Sequence, residues 1–132
     1  MKRILLYQQS NIEIFHDQQN RWLYVDWKGY QTVGFVQGGC EQMLNFLVAT
    51  GVNKVLNDNT NVTGIWIGAS DWVGKDWMPR MCAKGLRHFA WVYSPSRLSQ
   101  VSTDAALEAA KTPVIQMFYS VAEAEEYLRN QR

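Results

Sequence analysis

Two β-rich runs, Ile12–Asp17 and Arg21–Trp27, stand close together near the start of the chain, with the polar stretch Gln18-Gln19-Asn20 between them. Such runs joined by a short polar loop signal an antiparallel hairpin. In the second run Leu23, Val25 and Trp27 fall on one face and Trp22, Tyr24 and Asp26 on the other. Trp22 shares its face with polar neighbours and is therefore expected to be partly wet. Lys28-Gly29 is expected to break the strand. From Thr32 to Thr50 the period becomes helical, with Val33, Val36, Cys40, Met43, Leu44 and Leu47 recurring at steps of three and four. Gly34, Gly38 and Gly39 lie on or beside that stripe, where they would let the helix approach a sheet closely. Gly51 is placed to end it.

Lys54–Asp58 reads as a short strand and Asn59–Gly64 as a turn-rich loop. Ile65-Trp66-Ile67 is an apolar patch leading into a second helix. Ser70 is read as its N-cap, and Asp71 sits in its first turn, where the helix dipole favours a carboxylate. That helix runs through Trp72, Val73, Trp77 and Met81 to Gly85, with a kink or break at Pro79. Leu86–Tyr93 is a largely buried strand, stopped by Ser94-Pro95-Ser96. A short Ala-rich helix is expected over Asp104–Lys111, and a last strand over Val114–Phe118. Ser120 and Glu123 have capping-box spacing and open a final helix reaching about Gln131. Its inward stripe is Val121, Ala124 and Leu128, and Glu125 and Arg129 form an exposed i,i+4 pair. Strands alternating with helices after a hairpin imply βαβ crossovers and a mixed sheet covered by about four helices. The fold class is α/β. Residues 1–132 read as a single domain, with residues 1–10 an extra edge strand or extension.

Composition narrows the functional classes. Thirteen basic residues against 12 acidic leave a net charge of +1, which argues against a dedicated nucleic-acid binder. Gln8, Gln9, Ser10 and Asn11 cut off the opening apolar run well short of the roughly 7 to 15 residues a signal peptide needs. No window approaches the roughly 18 apolar residues of a membrane span. The chain reads as soluble and cytoplasmic. Cys40 and Cys82 are far apart, lie in helical patterns and read as buried free thiols. The six Trp, six Tyr and five Phe are the unusual feature.

Catalytic constellations are hard to assemble. Ser70 and Asp71 have no assignable histidine base, since His16 sits at the hairpin and His88 within a strand. No His/Asp/Glu set has metal-ligand spacing, and no cofactor site is read. Asp58 and Asp71 are the only carboxylates offered for acid–base work. Lys75, Arg80, Lys84 and Arg87 form a basic stretch that reads as a solvated helix face. Ligands of open α/β sheets sit beyond the carboxyl ends of the strands. The candidates at that rim are Asn57, Asp58 and Asn59, then Ser94 and Arg97, then Tyr119 and Ser120. Ser70 and Asp71 join them at a helix start that suits an anion or phosphoserine, with Trp72 and Trp77 beside it.

Three segments carry a family resemblance: Arg21-Trp22-Leu23-Tyr24-Val25-Asp26-Trp27-Lys28-Gly29; Val55-Leu56-Asn57-Asp58-Asn59; and Asp71-Trp72 through Trp77 and Pro79 to Gly85-Leu86-Arg87-His88-Phe89-Ala90. Together they resemble the SpoIIAA-like branch of the STAS superfamily over nearly the whole chain after residue 10. The resemblance implies a small α/β domain whose mixed sheet has a β-hairpin at one end and helices against it. It also implies kinship with bacterial anti-sigma-factor antagonists, which act by binding partner proteins. Those antagonists carry a phosphorylated serine or threonine in an Asp-Ser-Ser/Thr-Gly motif. Ser70 has the corresponding location, but Asp71 follows it and the glycine is missing, so the phosphorylation switch is not carried over. The stretch Asn59–Gly68 is also longer than in that pattern.

The expected function is non-catalytic: a STAS-like domain binding a protein partner or small ligand in bacterial regulation. The alternative is a carrier of an apolar, lipid-like ligand held between the sheet and the Trp-rich second helix. A second copy of the chain is a candidate partner, since an exposed aromatic patch beside that helix would make an interface. The expected binding residues are Asn57, Asp58, Asn59, Ser70, Asp71, Trp72, Trp77 and Arg97.

Overall fold

A computed structural model describes residues 3–132. Six strands form one sheet in the order in which they occur along the chain: β1 (Arg3–Gln9), β2 (Ile12–Asp17), β3 (Trp22–Tyr30), β4 (Lys54–Thr63), β5 (His88–Val92) and β6 (Ile115–Phe118). β1–β2 and β2–β3 are antiparallel, and β3 through β6 run parallel. Four helical segments connect and cover them: α1 (Val33–Thr50), α2 (67–83), α3 (Arg97–Ala110) and α4 (Val121–Arg129). The α/β class and the hairpin-led mixed sheet agree with the sequence reading.

α1, α2 and α3 share one face of the sheet, as successive crossovers of one hand require when a sheet grows in one direction. The main core lies there. Leu23, Val25 and Trp27 of β3 meet Val36, Cys40, Met43 and Leu47 of α1, Val73, Trp77, Met78 and Met81 of α2, and Ala106 of α3. On the other face α4 alone covers a smaller cluster, in which Ala124 and Leu128 pack on Trp22, Leu56, Ala90 and Val92. Trp22 is therefore fully buried, not partly wet: α4 arrives from about 100 residues along the chain to cover it.

Several boundaries move for physical reasons. β3 does not stop at Lys28-Gly29. Its pairing with β4 shifts register between Asp26 and Lys28, Gly29 takes a φ of +73°, and the ladder resumes to Tyr30. β4 likewise runs through the expected loop to Thr63, pairing Asn61, Val62 and Thr63 with β3. The second helical run begins at Ile67 with a 3₁₀ turn, and Ser70 lies inside it in αR conformation. Ser70 is thus no N-cap. Its hydroxyl is buried and donates to the Ser102 carbonyl at 2.7 Å. The widened turn Val73–Trp77, closed by Met78 N–H on the Val73 carbonyl, comes just before Pro79. A proline has no N–H and its ring crowds the carbonyl four residues back, which a wider turn relieves.

α3 begins at Arg97 rather than Asp104, capped by Ser96, whose hydroxyl accepts from Ser99 N–H. Thr32 caps α1 in the same way, and Gly51 closes it at φ +72°. Ser120 caps α4 as its spacing predicts. Glu125 and Arg129 do not pair with each other: Glu125 meets Arg3 at 3.3 Å, and Arg129 donates to Asn20. Of the three glycines of α1, only Gly39 sits against the sheet, where a Cβ would fall 2.4 Å from the Trp27 ring. Cys40 and Cys82 are free thiols, and Cys40 is buried. Among the described residues no helix is long and apolar enough to cross a membrane.

Candidate functional site

The carboxyl half of β4 is unusually polar for a central strand. Asn57, Asp58 and Asn59 are consecutive and nearly buried, so each needs partners or a polar cavity. Alternation along the strand divides them between the two faces. Asn57 and Asn59 look toward α1 and α2. Asp58 looks the other way, where its carboxylate accepts from Tyr24 Oη at 2.6 Å and from Thr60 N–H at 2.9 Å. The expected trio at one rim is therefore two groups on opposite sides of the sheet.

On the helical face Asn57 and Asn59 line a cavity of about 30 Å³ walled by Trp27, Trp66, Trp77 and Trp91, with Val36, Cys40, Met43, Val62, Val73 and Gln31 completing it. That volume has room for about two water molecules. β3, β4 and β5 supply Trp27, the two asparagines and Trp91, while α2 and the turn before it supply Trp77 and Trp66. Asn57 Oδ1 accepts from Trp27 Nε1 at 2.8 Å, and Trp77 Nε1 donates to the Cys40 carbonyl at 2.7 Å. The rings interlock: Trp66 stacks on Trp91 with centroids 6.2 Å apart, and Phe89 meets both Trp91 and Trp77 edge-on. Gln31 is held by Asn11 and by the Lys28 carbonyl.

Of the eight expected site residues, the cavity gathers three: Asn57, Asn59 and Trp77. Asp58 belongs to the opposite face. Ser70 is buried against α3 and presents no hydroxyl to solvent. Asp71 is exposed and pairs with Lys75 at 3.4 Å. Trp72 is half-buried beneath the Arg80 guanidinium, 5.7 Å from its ring centre. Arg97 is exposed at the start of α3. Arg80 is drawn out of the basic stretch by a bidentate pair with Glu41, at 2.8 and 2.7 Å, and by Asp76. Those carboxylates hold the guanidinium further in its charged form, and Arg80 in turn lowers the pKa of Glu41. Trp27, Gln31, Cys40 and Trp91 escaped the sequence reading as site residues. Each sits within an apolar run or at a cap, where core packing accounts for it equally well.

Around the end of the sheet lies a collar of exposed apolar side chains: Tyr30, Val33, Ile65, Ile67, Leu98 and Val101. The 64–68 segment links them. A Cβ on Gly64 would meet the Tyr30 ring at 2.9 Å, and one on Gly68 the Val33 side chain at 3.1 Å. Trp66 N–H donates to Ser102 Oγ and its indole N–H to Ser99 Oγ, which ties the 64–68 segment to α3.

On the α4 side Glu13, Asp26 and Asp58 fall in one row across β2, β3 and β4, with Lys28 Nζ 2.9 Å from Glu13 and 3.8 Å from Asp26. Burial raises the pKa of Asp26, against the hydrogen bond from Asn61 and the charge of Lys28. A carboxyl group with a raised folded pKa binds its proton more tightly in the folded chain. Its contribution is therefore greatest below the ordinary aspartate value and is lost as pH rises through the folded value. Asp26→Asn is accordingly expected to gain in melting temperature relative to the parent as pH goes from 3 to 7. Thermal unfolding at both pH values checks it, and a relative loss over that range would show that the Lys28 pairing outweighs burial. Neither a protein-family model nor a curated protein matches the chain.

Proposed function

We propose that the chain is a non-catalytic binding domain of the SpoIIAA-like STAS kind, which acts in bacterial regulation by engaging a protein partner. The observation that carries this reading is the apolar collar at the carboxyl end of the parallel strands. Exposed apolar side chains gathered at one end of a sheet mark interaction sites, and this end of an open α/β sheet is where ligands bind. The hairpin-led mixed sheet with helices against it supports the family resemblance from which the reading began. Ile67→Lys and Leu98→Lys test it. Both side chains are about half exposed, at 48% and 54%, so each variant is expected to unfold within about 2 °C of the parent. A partner cross-linked to the parent in cells is expected to be lost from both variants. Retention of the same cross-linked partners by both would remove the collar as the binding surface.

The cavity favours a second reading, that of an apolar-ligand carrier. It lies between the sheet and α2, where such a ligand is expected, and its walls are mostly aromatic and aliphatic. At about 30 Å³, an acyl chain would enter only if the collar opened. Native mass spectrometry of the purified protein is expected to show a bound adduct. A clean apo mass, with tryptophan fluorescence unmoved by fatty acids, would set the carrier reading aside.

A further inference from the structure

α1 lacks charge where the other helices carry it. From Gly29 to Asn53 the only charged residue is Glu41, in a chain that is 19% charged. Glu41 is already committed: its carboxylate accepts from both terminal nitrogens of Arg80, at 2.8 and 2.7 Å, on the side of α1 that faces α2. α1 buries Val36, Cys40, Met43 and Leu47 against the sheet, and its opposite face meets solvent. A surface helix of a globular protein has charged and polar residues on its outer face, and one without that division is usually covered. The other helices follow the rule, with Asp71 and Lys75 exposed on α2, Asp104 and Glu108 on α3, and Glu123 and Glu126 on α4.

The outer face of α1 also has a regular seam. Phe35, Gly38, Gln42, Asn45 and Ala49 recur at steps of three and four, which places them on one stripe of the helix. Phe35 is 44% exposed, and Gly38, Asn45 and Ala49 are exposed as well. Asn45 Nδ2 donates to Gln42 Oε1 at 3.5 Å, and neither amide makes another hydrogen bond among the described residues. The seam reads nearly the same in both directions, with an apolar side chain at each end and an amide at the centre.

We propose that this face of α1 docks on the same face of a second copy of the chain, the two helices antiparallel about a two-fold axis at Gln42. A two-fold brings each group on the axis against itself and sets Phe35 of each copy opposite Ala49 of the other. Like charges on the axis would repel, whereas a carboxamide holds both a donor and an acceptor and so pairs with its own copy. Recognition of a foreign protein is steered and sharpened by opposite charge, which this face does not offer, and that selects a second copy as the occupant. α1 has 18 residues and is about 27 Å long, so a strip about 12 Å wide covers about 300 Å² on each copy. A standard interface takes roughly 800 Å² per partner, so the dimer is weak, with a Kd of about 10–100 µM. The face is separate from the collar, and the proposal does not rest on partner binding there. Because α1 starts at the collar residue Val33, antiparallel helices hold two collars at opposite ends of the dimer.

Sedimentation velocity of the full chain from about 5 to 500 µM tests it. The parent is expected to pass from monomer to dimer across that range. Gln42→Lys and Gln42→Glu are each expected to weaken the dimer at least about tenfold, the least that one pair of like charges on the axis would cost. An equimolar mixture of the two is expected to dimerise again, since lysine then meets glutamate. Asn45→Lys, one turn along the seam, carries the same expectation as Gln42→Lys and replaces it should that variant not fold. Leu98→Lys, in the collar, is expected to leave the dimer intact. A parent that stays monomeric at 500 µM would overturn the proposal. So would a dimer that survives charge at Gln42 and Asn45, or one that Leu98→Lys abolishes, because the interface would then lie elsewhere. The partner reading fails separately, since partners cross-linked at the collar are expected to be retained by both Gln42 variants.

Discussion

Trp77→Ala is expected to destabilise the protein by about 3–5 kcal/mol, a fall of roughly 12–20 °C in melting temperature. The indole is 1% exposed and touches both layers of the core: its N–H is bonded to the α1 backbone at Cys40, and its ring meets Phe89 of β5 edge-on at 6.0 Å. Truncation removes that contact area and that buried hydrogen bond, and enlarges a cavity already present. Trp72, five residues earlier on the same helix, gives the contrast. It is half-buried at the edge of the main core, with Arg80, whose stronger partner is Glu41, over its ring. Trp72→Ala is expected to cost only about 1 kcal/mol. Thermal unfolding of the two variants side by side measures the difference. Equal losses would mean that the half-buried Trp72 contributes as much to the core as the fully buried Trp77.

Gly74→Ala is expected to lower stability by about 2 kcal/mol, even though alanine is the better helix former. The added methyl group would lie 2.6 Å from the Ala106 carbonyl oxygen, 2.6 Å from Ala109 Cβ and 2.6 Å from Ala110 N. Two of those three atoms are backbone, which no change of rotamer can move aside. The whole of α3 would have to retreat from α2. Gly38 is exposed on α1, and a methyl group there would meet nothing within 4 Å. Gly38→Ala is expected to gain about 0.5–1 kcal/mol. Opposite signs for one chemical change in two helices are what chemical denaturation should report, and a neutral Gly74→Ala would mean that α3 can shift freely on α2.

The close approach at Gly74 also explains which parts of the fold could be read in advance. α1 buries Val36, Met43 and Leu47, so its period showed plainly. α3 buries Ser99, Ser102, Thr103 and Ala106, because a helix drawn this near its neighbour has room only for short side chains. An inward face made of hydroxyls leaves no apolar stripe, and only the Ala-rich second half looked helical. The overlooked cue was Ser96, standing three residues before Ser99. β4 was cut short for a related reason. Asn59 through Asn61 look like loop residues until partners on the neighbouring strand are known, such as Asp26 for Asn61. Trp22, Glu125 and Arg129 failed alike, their real neighbours lying far along the chain. Strand polarity put Asn57, Asp58 and Asn59 at the rim beyond the end of the sheet, whereas β4 runs on to Thr63 and holds all three inside the strand. Which side of the sheet each polar residue faced depended on the continuation of β4, and that was hidden by its polarity.

Strand order in this sheet is simply chain order, and that has a bearing on biosynthesis. Each strand hydrogen-bonds to the one made just before it, so a chain leaving the ribosome can extend the sheet one unit at a time. Nothing in the main layer waits for a distant segment, the condition that favours rapid assembly. The exception is α4. Only when it is made can Leu128 and Ala124 cover Trp22, Glu125 meet Arg3, and the carbonyls of Leu128 and Gln131 receive the Lys54 ammonium at 2.6 and 2.7 Å. Until then one side of the nascent sheet presents Trp22, Leu56, Ala90 and Val92 to water. The last helix thus ends the interval in which the newborn chain is most exposed to misassociation and chaperone capture.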